Sequence, residues 1–128
     1  MNRTPHEVIL LYEEYEKLSA ACSTSLQKAS IRQEAPRVQW EVEVFDVQES
    51  FDAEFYDFVL HARVHLHDRW SWWHGNAHDG EMSLTAYLKG KDLRERLLTM
   101  KRGQRVRVDG TVTYHARHFG MNPANPLA

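Results

Sequence analysis

The residues best suited to chemistry stand together in Arg69-Trp70-Ser71-Trp72-Trp73-His74, where three indoles fall within four positions beside a cation and an imidazole. An indole offers a flat π face on which a nucleobase stacks, at about 1–3 kcal/mol per base. The same rings beside arginine suit a protein partner, because Trp and Arg are favoured interface anchors. A third use is internal packing against the chain's own core. Neighbouring side chains on a strand point to opposite faces. Trp73 therefore leaves the interior if Trp70 and Trp72 enter it.

A second group is the alternating row His61, Arg63, His65 and His67, with Tyr87 and Lys89 as expected neighbours across the sheet. Aromatic and cationic side chains on one strand face suit a single-stranded nucleic acid. Histidine titrates near neutral pH, so anion binding through this row should strengthen as the pH falls. The competing reading is electrostatic: Glu41 and Glu43 on a neighbouring strand neutralise the row. The histidines His65, His67, His74 and His78 also suggest metal ligation. No cysteine accompanies them, however, and their spacing matches no established zinc pattern. Neither a metal nor a cofactor is expected on that basis. Arg94, Arg96, Lys101, Arg102, Arg105, Arg107 and Arg117 form a basic group late in the chain. Arg105 and Arg107 are expected to pair with Glu41 and Glu43. No nucleophile with a recognisable base, no Gly-rich phosphate loop and no metalloprotease helix is present, so no catalytic residue is assigned.

Composition narrows the classes. The chain has 128 residues and a net charge of −2, which suits one core of ordinary size. Charge is unevenly spread: residues 37–60 carry a net −6 and residues 61–128 a net +5. A protein held to phosphates over its whole surface is usually basic overall, so nucleic-acid contact here requires a local face. Cys22 is the single cysteine, so no internal disulfide is available and a reducing, cytoplasmic setting is expected. No apolar run approaches the ~18 residues of a membrane span.

The elements that must position these residues follow from period. Residues 5–29 read as one long helix: Thr4 caps it, Pro5 fits the first turn, and Glu7 completes a capping box. Its apolar stripe runs Val8, Leu11, Tyr15, Leu18, Cys22, Leu26 and Ala29. At ~1.5 Å per residue such a helix is longer than a small barrel is wide. The excess could meet a second copy or another partner, or the whole stripe could pack on its own barrel. A linker is expected up to residue 36, dividing the chain into residues 1–36 and 37–128.

From Val38 the period becomes two. Val38, Trp40, Val42 and Val44 form one face of a first strand. Phe58, Leu60, Ala62, Val64 and Leu66 line a second, and Met82, Leu84, Ala86 and Leu88 a third. Between the first two strands, residues 48–54 read as a loop. A short helix follows, with Asp92 as its cap, Leu93, Leu97 and Met100 on one side, and Gly103 as its stop. Val106, Val108 and Val112 then make a strand interrupted by Gly110, read as a bulge or sharp bend.

The run Leu97-Leu98-Thr99-Met100-Lys101-Arg102-Gly103-Gln104-Arg105-Val106-Arg107-Val108-Asp109-Gly110-Thr111-Val112 resembles the helix-to-fourth-strand junction of many OB-fold (oligonucleotide/oligosaccharide-binding) domains. Ala86-Tyr87-Leu88-Lys89-Gly90 is similar to the end of the third strand in bacterial single-strand-binding proteins. Domains related to tRNA-anticodon-binding modules share the pattern, which covers about residues 37–117. The resemblance implies a mainly β fold, a small β-β-β-α-β barrel of OB type behind the N-terminal helix. It also implies a non-catalytic module that binds single-stranded DNA or RNA. Trp70, Trp72, Trp73 and Tyr87 would stack on bases, with Arg63, His65, Arg69 and Lys89 beside them. The alternative is a protein-interaction or oligomerisation module built on residues 5–29 and the tryptophan loop. Two features depart from the pattern. The N-terminal helix is extra, and the tail after Tyr114 carries Gly120, Pro123 and Pro126 and makes a poor fifth strand. Either the strand at Gly110 bends and counts twice, or the barrel stays incomplete.

Overall fold

In the computed structural model, residues 2–31, 35–51, 54–66 and 80–127 are described. The tryptophan segment and His67 lie outside them. Helix α1 (Pro5–Ala20) begins as expected: the Thr4 hydroxyl accepts the Glu7 amide, and the Glu7 carboxylate accepts the Thr4 amide. It does not run to residue 29. It stops at Ala21, and Thr24 opens a second helix, α2 (Ser25–Ser30), with its own capping box to Gln27. The physical reason is local competition. A threonine side chain followed three residues later by Gln satisfies the free amides of a new first turn, so a fresh N-terminus wins over continuation. The buried face also differs from the expected stripe. Val8 and Ile9 are fully buried, whereas Leu18 and Leu26 are exposed.

Five strands follow: β1 (Arg37–Glu49), β2 (Phe58–His65), β3 (Glu81–Leu88), β4 (Arg105–His115) and β5 (His118–Pro126). They close in the order β1-β2-β3-β5-β4, with β4 returning to β1. β5 runs parallel to β3 and antiparallel to β4. The fold is thus a small five-stranded β-barrel preceded by a helix, compatible with an OB-like architecture. The even-numbered residues expected inside on β1, β2 and β3 are buried. α1 caps this interior. Val8 and Ile9 join the barrel core, Tyr12 donates its hydroxyl proton to the Val112 carbonyl (3.2 Å), and the Trp40 indole N–H donates to the Arg3 carbonyl (2.7 Å). No helix among the described residues is long and apolar enough to cross a membrane.

Three expectations need correction. Residues 48–49 continue β1 rather than opening a loop. The short helix α3 (Arg94–Leu98) is entered through a 3-10 turn at Lys91–Leu93, and Asp92 makes no capping bond. Gly90 stands at the cap position of that turn instead, its amide donating to the Asp57 carboxylate (2.8 Å). Most importantly, the tail is a true strand. The Asn122-Pro123 pair falls where both ladders skip: pairing jumps from Ala86 to Leu88 on β3 and from Gly110 to Val112 on β4. Proline has no N–H to donate, and an irregularity in the ladder is one place where a strand accepts it. The expected break at Gly110 is therefore real, and it accommodates β5 rather than splitting β4 in two.

Opposite charges do pair between neighbouring strands. Arg37 grips Asp109 with two bonds (Nε–Oδ1 3.1 Å, Nη2–Oδ2 2.6 Å), and Arg105 reaches Glu41 (3.3 Å). Asp109 is buried, and its hydrogen bonds from Arg37 hold its carboxyl below the usual range despite desolvation. A depressed folded-state value adds stability above the unfolded value of 3.8 and loses it as pH falls through the folded one. Asp109→Asn should therefore flatten the stability-versus-pH curve below about pH 4. Urea melts of both proteins from pH 2 to 6 check this. Parallel acid limbs would count against it.

Candidate binding groove

The outer face of β1, β2, β3 and β5 carries an open groove of about 520 Å³, lined among others by Phe45, Gln48, His61, Arg63, Thr85 and His118. Register explains the assembly. His61 stands opposite Thr85 on β3, and Asp46 stands opposite His61 from β1. The strand period therefore points His61, Arg63, Ser83 and Thr85 outward together.

Phe45 enters the groove because β1 changes phase. Pairing with β2 shifts between Val44 and Asp46. Val38, Trp40, Val42 and Val44 face inward before the shift, and Val47 packs against the core after it. The extra residue at this bulge turns a large ring to the outside. Both neighbouring guanidinium groups lie over that ring, Arg63 at 5.0 Å and Arg102 at 4.8 Å from its centroid. Arg102 is further held by donating to the Phe45 carbonyl (3.0 Å). These are cation–π contacts, and they set a flat aromatic face between two positive charges.

The middle of the groove is polar. The Gln48 amide donates to His61 Nε2 (2.7 Å), and the Thr85 hydroxyl bonds His118 Nε2 (3.0 Å). Burial lowers the pKa of His118, and His61 lowers it further by charge repulsion. Both effects favour the neutral ring of His118. A second aromatic group lies farther along β3. Tyr87, opposite Val59, packs on Tyr56 at 4.7 Å between ring centroids, and Phe55 follows at 6.3 Å. The Tyr56 hydroxyl accepts from Asn122 on β5 (2.8 Å). Val59 and Arg63 are four residues apart on β2, so the two aromatic stations are separated by roughly 13 Å at ~3.3 Å per residue. Phe51, fully exposed, flanks the second station in sequence.

Of the residues singled out from sequence, Arg63 lies in the groove wall and Tyr87 in the second aromatic station. Lys89 sits just past β3 and donates to the Glu54 carbonyl (3.5 Å). His65 turns away from the groove, between Glu43 (3.4 Å) and Glu81 (3.3 Å). Of the two expected acidic neighbours, Glu43 lies against His65, whereas Glu41 reaches Arg105 of β4. Arg69, Trp70, Trp72 and Trp73 lie outside the described residues. Sequence reasoning missed Phe45, Gln48 and His118 in the groove, Arg102 over the Phe45 ring, and Tyr56 in the second aromatic station. The one available signal was the change of phase after Val44, which marks a bulge and hence an apolar side chain on the polar face.

Fold and groove together define a small closed β-barrel with an open outer surface of alternating aromatic, cationic and hydrogen-bonding groups. No protein-family model matches the chain, and no curated protein matches it either.

Proposed function

We propose that this chain is a non-catalytic, cytoplasmic OB-type module that binds single-stranded nucleic acid across the outer face of β1, β2 and β3. The carrying observation is the pair of aromatic stations, Phe45 between two arginines and Tyr87 on Tyr56, separated by a polar floor. Bases stack on the rings, a base on Phe45 taking the place of a guanidinium that swings out, while Arg63, Arg102 and Lys89 meet phosphates. Every base has a π face and the floor offers few fixed donors, so this chemistry tolerates sequence. Trp70, Trp72 and Trp73, between β2 and β3 in the sequence, are further candidates for base stacking. Exposed Leu18 and Leu26 favour a second reading, in which the helical segment engages a protein partner or a second copy.

The test is a fluorescence titration with mixed-sequence single strands at low salt. Phe45→Ala and Tyr87→Ala should each weaken binding by about 5–150-fold, the equivalent of 1–3 kcal/mol per stacked base. Three phosphate contacts predict a log–log salt slope near −2, from about −0.7 per contact. Both rings project outward, so the variants should melt like the parent. No binding at low salt and pH 6 removes the proposal. Binding that ignores both ring truncations moves it off this groove.

A further inference from the structure

A second constellation lies at the end of the β1–β2–β3 face, outside the groove. Glu43 of β1, His65 of β2 and Glu81 of β3 each present a ligand atom, and these atoms all lie within 4.8 Å of one another. We propose that they form a site for a divalent transition-metal ion of the zinc class.

The geometry supports it in three ways. His65 Nε2 stands 3.4 Å from Glu43 Oε2, and Nδ1 stands 3.3 Å from Glu81 Oε1. With metal–ligand bonds of about 2.0–2.2 Å, the edge of a tetrahedron is about 3.4 Å. The carboxylates face different ring nitrogens, so a shared ion takes one nitrogen with the carboxylate already beside it, and the other carboxylate closes in by about 1–2 Å. The ligands also sit on rigid, mutually paired strands, with His65 directly opposite Glu81, so little ordering is needed on binding. The His65 side chain, moreover, is only 20% exposed while flanked by two carboxylates. A cation shared among them offsets this concentration of negative charge. Arg63 approaches Glu81 at 3.7 Å and is the competing cation. Imidazole with carboxylate oxygen is a borderline donor set that suits zinc, cobalt or nickel better than calcium, with water completing the coordination.

The experiment uses the full chain without a histidine tag, and zinc or cobalt(II) as the sole added probe. Calorimetry should show one equivalent of zinc bound at pH 7.5 and clearly weaker binding at pH 5.5, because protons compete for His65. His65→Gln and Glu43→Gln should each lower affinity by roughly 10–100-fold and change the visible absorption of the cobalt form. Both side chains lie on the barrel exterior, and thermal melts confirm that the variants fold. Undiminished binding in both variants assigns the metal to other histidines and overturns the proposal. So does the absence of any binding at about 100 μM zinc at pH 7.5, well above the range of specific protein sites.

Discussion

Phe119→Ala should cost about 3–5 kcal/mol of folding stability, the usual range for truncating a fully buried aromatic. The melting temperature should fall by roughly 10–20 °C for a chain of this size. Phe119 has no exposed surface. Its ring meets the edge of Trp40 at 5.1 Å and 77°, and lies 5.2 Å from Tyr114. It also belongs to the strand that closes the barrel, opposite Leu84 on β3 and Tyr114 on β4. Alanine leaves a cavity between the rings of Trp40 on β1 and Tyr114 on β4 and removes the aromatic contacts as well. A small domain typically has only about 5–15 kcal/mol in hand, so this change removes a large share. Phe51→Ala supplies the contrast: that ring is fully exposed, and its loss should shift stability by less than about 0.5 kcal/mol. Chemical denaturation of both variants decides the matter. A loss below 1 kcal/mol at Phe119 would mean that β5 does not fill the barrel as described.

Gly110→Val should be comparably severe, about 3 kcal/mol, from overpacking rather than a cavity. Gly110 lies on β4 between Val38 of β1 and Ala124 of β5. A Cβ there would stand 2.5 Å from Met121 Cγ and nearer still to the Pro123 carbonyl oxygen. One of those neighbours is backbone, so relief requires β5 to move away from β4. The barrel would then open at the β4–β5 seam, which should show as a lower melting temperature and faster amide exchange in β5. Gly103→Ala separates space from backbone conformation. Its φ is +89° and no atom lies within 4 Å of the added carbon, so only the conformational penalty of about 1–2 kcal/mol applies. If Gly110→Val proved no worse than Gly103→Ala, the close approach of β5 would be wrong.

Much of this fold is legible in the residues themselves because period is a local property. Val38 to Val44, Phe58 to Leu66 and Met82 to Leu88 alternate, and every one of those expected interior positions is buried. The capping box at Thr4 and the interruption at Gly110 are likewise short-range signals. Helix length was less legible: Thr24 and Gln27 carry the same capping signature as Thr4 and Glu7, and a continuous apolar stripe obscured it. The fifth strand escaped because Pro123 and Pro126 argue against any strand when read alone. Pro123 is tolerated where pairs are skipped in two ladders at once, one to β3 and one to β4, and Pro126 stands at the last residue of the strand, opposite Val108.

The groove divides in the same way. Sequence alone determined that His61, Arg63 and Tyr87 share the outer face of a barrel whose interior takes the alternate side chains, since a strand turns every second residue the same way. It also anticipated the Arg105–Glu41 pair, whereas Glu43, expected to pair with an arginine of β4, lies against His65. Only the tertiary structure decided that Phe45 joins that face, that Arg102 and His118 reach it from β4's leading turn and from β5, and that His65 goes to two glutamates. Those outcomes depend on register, on one bulge, and on which strands become neighbours when the sheet closes. Closure brings together residues as distant in the chain as Arg102 and Phe45, 57 positions apart, and Arg37 and Asp109, 72 apart, and no local period encodes contacts of that range.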